Sequence, residues 1–274
     1  MARWELTQHY ETPRGIVRWH SFGQGSPVVL LHGTPFSSYV WRDIAAALSR
    51  RHTVFVWDLL GYGQSQMLLD QDVSLAAQQA VFTELLGYWG LERPAVVAHD
   101  FGGAVALRSA LLDGVAYERL ALLDAVSLRP WGSDFFRVAR ENAAVFTALP
   151  AHIHEALVRS YISTASRPGL REDVTSALVA PWLGPEGQPA FYRQLSQADE
   201  RFTREVEERY GDLDMPVLVA WGSQDQWLPL DHATRLARQI PGARLSWIEG
   251  AGHLVQEDAP AQVTATLCDF LDHA

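Results

Sequence analysis

Cysteine, positive charge and long apolar runs are all scarce in this chain. Of 274 residues only Cys268 is a cysteine, which excludes an intramolecular disulfide and fits a reducing compartment. Cys268 falls in a C-terminal segment of helical period, where a small apolar packing residue is the ordinary role. No apolar run approaches the roughly 20 residues that span a bilayer. Met1-Ala2-Arg3-Trp4-Glu5 lacks the apolar core of a secretory leader, so no membrane association and a cytoplasmic location are expected. With 22 Lys and Arg against 32 Asp and Glu, the formal charge is −10, and no local basic cluster offsets it. Nucleic acid is therefore not an expected partner. Internal repeats, low-complexity tracts, heptads and zinc-type Cys/His spacings are also missing, and neither a metal nor a cofactor is expected.

What is present is enough apolar material, 48% of residues, to bury one large core. Near-continuous apolar runs recur at Pro27–Leu31, Thr53–Trp57, Ala95–Ala98, Leu120–Leu123 and Val217–Trp221, as strands covered on both faces require. Segments of helical period, 41–49, 75–89 and 102–112, alternate with them, which predicts a parallel sheet flanked by helices. Before it, 4–10 and 16–22 flank the turn signal Thr12-Pro13-Arg14-Gly15 and predict an antiparallel hairpin. Between 126 and 213 the alternation stops in favour of an aromatic, proline-interrupted helical stretch. It reads as a cap inserted into a core made of 1–125 and 214–274. Strand-helix alternation then resumes through 231–240 and 245–248 and closes with a helix over 260–271. Ligands bind beyond the carboxyl ends of strands in such a sheet, so the cap would roof the site.

Val96-Val97-Ala98-His99-Asp100-Phe101-Gly102-Gly103 ends a strand and opens a helix within three residues. Small side chains at Ala98 and Gly102 suit so sharp a turn, and the turn has the form of the nucleophile elbow G-x-S-x-G with Asp100 in place of serine. The helix start favours the ionised carboxylate. The plainer alternative for Asp100 is a helix cap.

Four further motifs, together with this elbow, resemble the α/β-hydrolase family along nearly the whole chain. His32-Gly33-Thr34-Pro35 is similar to its oxyanion loop. Asp58-Leu59-Leu60-Gly61-Tyr62-Gly63-Gln64-Ser65 resembles the loop after its fourth strand, and Gly222-Ser223-Gln224-Asp225 and Gly250-Ala251-Gly252-His253 resemble its acid and histidine segments. The resemblance implies an α/β-hydrolase fold with a helical cap. It also implies a nucleophile at Asp100, a general base at His253, and backbone N–H groups of Thr34 and Phe101 as oxyanion hole. Two carboxylates fit the acid role: Asp225, favoured by its Gly-x-x-Asp loop, and Asp124 at the end of the sixth strand.

A carboxylate gains little by attacking a carbonyl, but on a tetrahedral carbon it displaces a leaving group and forms an alkyl ester that activated water can hydrolyse. Epoxides and organohalides are the substrates this chemistry suits. Haloalkane dehalogenases commonly carry Trp beside the nucleophile and Asn in the oxyanion loop, where this chain has Phe101 and Thr34. Fluoroacetate dehalogenases carry arginines where it has Phe101 and Ala104. Gln188-Pro189-Ala190-Phe191-Tyr192-Arg193 resembles the late-cap Tyr-Arg motif of epoxide hydrolases, making Tyr192 the candidate proton donor and Tyr161 a possible second tyrosine. An epoxide hydrolase giving vicinal diols is the first reading, a dehalogenase the second, and a non-hydrolytic binding or rearrangement protein the third. His32, Pro35, Trp131, Phe135, Phe146, Tyr161 and Trp182 are expected to border an apolar pocket. A small hydrophobic organic molecule and water are the expected partners, with a homodimer admissible.

Overall fold

The structure, a computed structural model, describes residues 4–272; Met1-Ala2-Arg3, read above for a leader, lie outside them. In chain order the first half comprises β1 (Gln8–Thr12), β2 (Gly15–Gly23), β3 (Ser26–Leu31), α1 (Arg42–Leu48), β4 (His52–Trp57), α2 (Leu75–Tyr88), β5 (Ala95–His99), α3 (Phe101–Leu112) and β6 (Arg119–Leu123). Six helices follow: α4 (Asp134–Glu141), α5 (Ala143–Thr147), α6 (Ala151–Ser163), α7 (Glu172–Val179), α8 (Gly184–Gln197) and α9 (Arg201–Glu207). The chain then re-enters the sheet with β7 (Val217–Gly222), α10 (Leu230–Gln239), β8 (Arg244–Ile248), α11 (Val255–Asp258) and α12 (Pro260–Asp272). The strands form one sheet in the order β1-β2-β4-β3-β5-β6-β7-β8. The β1–β2 and β2–β4 pairs are antiparallel and the rest parallel, which is the α/β-hydrolase architecture.

Why the middle strands read as unbroken apolar runs is visible in their burial: every residue of β5 and β7 is buried, because helices cover both faces of the sheet. The leading hairpin begins later than its hydrophobicity predicts, at Gln8 and not Trp4. Trp4 leaves the sheet edge to donate its indole N–H to Ser38 Oγ at 3.0 Å and to pack edge-on against Phe22. The helices between β6 and β7 are tied to the core by buried polar contacts. Arg108 on α3 donates to Gln79 Oε1 at 2.8 Å and to Glu205 Oε2 on α9 at 2.6 Å, and Trp182 donates its indole N–H to the Pro35 carbonyl at 2.7 Å. Beneath them converge the carboxyl ends of β3, β5, β6, β7 and β8, where an open parallel sheet places its ligand site. No helix among the described residues is long and apolar enough to cross a membrane.

Candidate active site

Asp100 stands between β5 and α3 at φ 52°, ψ −119°, a conformation non-glycine residues rarely adopt. The surroundings hold it there. Its N–H donates to the Leu123 carbonyl at 3.2 Å, and its carbonyl accepts from Gly103 and Val126 at 2.9 and 3.1 Å. The neighbouring chain must also come very close. A Cβ on Gly33 would run into the Asp100 side chain, and one on Gly102 into Leu31 and the His32 carbonyl, so these glycines are required by contact. Strain of this kind turns a side chain outward from a buried strand end, and here it leaves the Asp100 carboxylate beside the oxyanion loop. The Thr34 N–H donates to Asp100 Oδ1 at 2.6 Å. The Phe101 ring packs edge-on against Trp131 and Phe136.

On the other side of Asp100 lies His253, its Nε2 3.4 Å from Oδ2. Its Nδ1–H donates to Asp225 Oδ2 at 2.9 Å, which fixes the tautomer. The second Asp225 oxygen accepts from the Trp227 and Leu228 amides at 2.7 and 3.2 Å. Burial alone would depress His253 and raise Asp225. The paired charges outweigh it, so that His253 lies well above and Asp225 below its ordinary value. The imidazolium therefore sits between two carboxylates. Asp124, the other candidate acid, is fully buried, with Oδ1 accepting from the Gly222 N–H at 2.8 Å. The geometry gives the hydrogen bond to His253 to Asp225 and sets Asp124 behind it.

Three groups that sequence reasoning did not single out support the site, two at the histidine and one at the oxyanion loop. His99, one residue before Asp100, donates Nε2–H to the His253 carbonyl at 2.9 Å. Burial, helped by the His253 charge, lowers its pKa to about 4, so it is a neutral brace. Trp227 stacks with His253 (5.0 Å, 24°) and with Tyr161 (4.6 Å, 11°). Gln194 accepts from both Thr34 Oγ1 (2.6 Å) and Tyr62 OH (3.0 Å), holding the oxyanion loop from α8. His99 could have been found as the one polar side chain in an apolar strand run. The other two carry no local sequence signal.

The space above Asp100 is a slot of about 20 Å³ lined by Thr34, Phe101, Val126, Trp131, Phe136 and Tyr161 among others, room for about one water molecule. Ser133, Tyr161 and Trp227 are shared with a neighbouring cavity of about 560 Å³ bordered by Phe135, Phe146 and Leu157. Of the residues expected to border a pocket, Trp131, Phe135, Phe146 and Tyr161 do so. His32, Pro35 and Trp182 line neither space. His32 accepts from the Leu59 N–H at Nε2 and donates Nδ1–H to the Gly33 carbonyl, each at 2.9 Å. Pro35 and Trp182 are joined to each other by the cap-to-loop hydrogen bond described above.

Tyr192 is also placed away from Asp100. The neutral His154 ring has one N–H, and because a carbonyl can only accept, that N–H goes from Nε2 to the Trp182 carbonyl at 2.8 Å. Nδ1 must then accept, and it takes the Tyr192 O–H at 2.8 Å. The expectation that Tyr192 donates a proton at the site is corrected accordingly, since its hydroxyl proton is committed inside the cap. Tyr161 is the tyrosine that borders the slot. Burial, and after it the nearby Asp100 charge, pushes its hydroxyl up, with the Ser133 side chain acting in the opposite direction.

Residues 26–260 match the family model for the alpha/beta hydrolase fold. An alpha/beta hydrolase fold protein from Burkholderia ambifaria is 48% identical, superposes with a TM-score of 0.95, and is covered over 98% of its chain by 97% of this one. Haloalkane dehalogenase 2 of Mycobacterium tuberculosis is 26% identical over 98% of this chain and 94% of its own. The epoxide hydrolase CorEH, at 23% identity, shares the fold with a TM-score of 0.83 over 97% of this chain and 98% of its own. On the matched length and the strand order together, the chain belongs to the α/β-hydrolase fold family.

Proposed function

We propose that the protein is a hydrolase that opens epoxides to vicinal diols through an alkyl ester on Asp100. The observation that carries the reading is the line Asp225–His253–Asp100 beneath a water-sized, largely apolar slot that Tyr161 helps to line. Asp100 attacks an epoxide carbon, the C–O bond breaks, and the opening oxygen takes a proton from Tyr161. Forming the ester removes the Asp100 charge, one of the two that hold His253 protonated. The imidazolium thus becomes a better acid and yields the proton that restores Tyr161. Neutral His253 then accepts a proton from water as its oxygen attacks the ester carbonyl carbon. The charge develops on the oxygen facing the Thr34 amide, with the Phe101 amide as second donor. Collapse of the tetrahedral intermediate, with the leaving alkoxide taking the His253 proton, releases the diol and leaves Asp100 as its carboxylic acid, whose proton passes to His253 and restores the resting carboxylate and imidazolium.

A resting imidazolium suits an epoxide, which consumes a proton as it opens. A halide leaves without one, and it needs N–H donors in an apolar pocket. The indole N–H groups nearest the site are engaged elsewhere: Trp131 with Thr203 at 3.0 Å, Trp227 with Thr164 at 2.9 Å and Trp182 with Pro35 at 2.7 Å. The likeness to a haloalkane dehalogenase at 26% identity keeps halide release as the alternative outcome of one assay. Styrene-oxide-like epoxides, haloalkanes and haloacetates are incubated with the protein and read for both diol and halide. Diol without halide is expected, and halide release without diol would replace the epoxide reading by dehalogenation.

A further inference from the structure

Behind the triad lies a second carboxyl group that the mechanism above does not use. Asp124 follows β6 immediately, at φ 41°, again a left-handed conformation at a non-glycine residue. Its side chain is fully buried, and side-chain atoms of Asp124, Asp225 and His253 lie within 4.8 Å of one another. Only one of its oxygens is satisfied: Oδ1 takes the Gly222 N–H, whereas Oδ2 has no hydrogen-bond donor. An ionised carboxylate with a bare oxygen, buried beside a second carboxylate, is strongly disfavoured. A neutral carboxyl in the same place has an O–H to give, and Asp225 is the acceptor within reach.

We propose that Asp124 is a positioning residue, a neutral carboxylic acid that donates a hydrogen bond to the Asp225 carboxylate and so moderates how firmly Asp225 holds the His253 proton. The two acids then have different charges and different work. Asp225, with two amide donors and the imidazolium, stays ionised. Asp124 draws electron density from Asp225, which leaves His253 able to give up its proton and act as base once Asp100 is esterified. The groups facing Asp124 are Asp225, His253 and the Gly222 amide. Burial first, then the Asp225 charge, raises the Asp124 carboxyl well above the usual carboxylate range, opposed by His253 and the Gly222 hydrogen bond, in keeping with the geometry.

The inference rests on His253 as the base of the proposed reaction, but its test needs no substrate and so stands or falls separately from the epoxide reading. The His253 imidazole is titrated by NMR in the intact protein, in Asp124→Asn and in Asp124→Leu. If Asp124 is a neutral donor, Asp124→Asn keeps a donor and leaves the His253 pKa within about half a unit, while Asp124→Leu, which removes the donor, raises it. If Asp124 is ionised, both variants delete a negative charge and lower the pKa by about one unit or more, which overturns the proposal. Infrared difference spectra supply a second readout. A protonated-carboxyl C=O stretch present at neutral pH in the wild type and missing from Asp124→Asn is expected; its absence from the wild type overturns the proposal even if the leucine variant fails to fold.

Discussion

The floor and the roof of the site are held by different forces. The floor is made of strand ends and the loops after them: Asp100, Asp124, Asp225 and His253 are placed by backbone hydrogen bonds, by the forced close approach of Gly33 and Gly102, and by a sheet in which β5 and β7 are wholly buried. The roof is made of side chains on helices. Phe135 meets Tyr161 at 4.7 Å and Phe146 at 6.0 Å, and Tyr192 meets His154 at 5.3 Å, contacts worth about 0.5–1.5 kcal/mol per pair beyond area burial. A floor tied through the backbone tolerates almost no variation without losing its geometry. The roof can exchange rings at modest cost, so the chemistry is set from below and the choice of substrate from above.

That contrast can be tested by perturbing each layer. The largest effect is expected on the floor: His253→Gln should still alkylate Asp100 but hydrolyse the ester about 10⁴-fold more slowly. One equivalent of substrate would be consumed in a burst, and the Asp100 peptide would gain the substrate's mass. In the roof the prediction separates two tyrosines. Tyr161→Phe should slow alkylation about 10²-fold, the lower range for a general acid, whereas Tyr192→Phe should change it less than about threefold; stopped-flow alkylation rates decide, and equal losses would erase the distinction.

A smaller effect concerns stability. The Asp124 carboxyl is raised in the folded state, so its contribution is complete below the unfolded value near 4 and is lost as pH climbs through the folded value. Asp124→Asn removes that loss. Its unfolding free energy relative to wild type should therefore grow between about pH 4 and pH 8 in urea titrations. A difference independent of pH would contradict the assignment.

The floor was legible in the sequence because its geometry is written locally. An apolar strand run followed by a tight, glycine-flanked loop locates Asp100, Asp225 and His253 without knowledge of the packing. Even there only the Gly-x-x-Asp loop favoured Asp225 over Asp124, because both follow adjacent strands, and the hydrogen bond to the His253 ring is what separates them. The roof was legible in composition but not in direction. Tyr192 and Tyr161 both lie on cap helices, and which of them lines the slot depends on how α6 packs on α8 and on the hydrogen that His154 lacks. Trp227 follows Asp225 by two residues, yet its stacking on His253 depends on where Tyr161 comes down from the cap. The start of β1 was misplaced for a similar reason: Trp4 has strand-like hydrophobicity, but its indole is drawn to Ser38, 34 positions along the chain.

Isotope tracing tests the central claim most directly. One turnover of a styrene-oxide-like substrate in water enriched in oxygen-18, with enzyme in excess, is followed by digestion and mass analysis of the Asp100 peptide. Because water attacks the ester at its carboxyl carbon, the account predicts that heavy oxygen enters the Asp100 carboxylate and that the first diol released carries oxygen taken from the enzyme. Heavy oxygen found in the diol alone, with an unlabelled Asp100, would mean that water attacks the substrate directly, and the covalent account would be wrong.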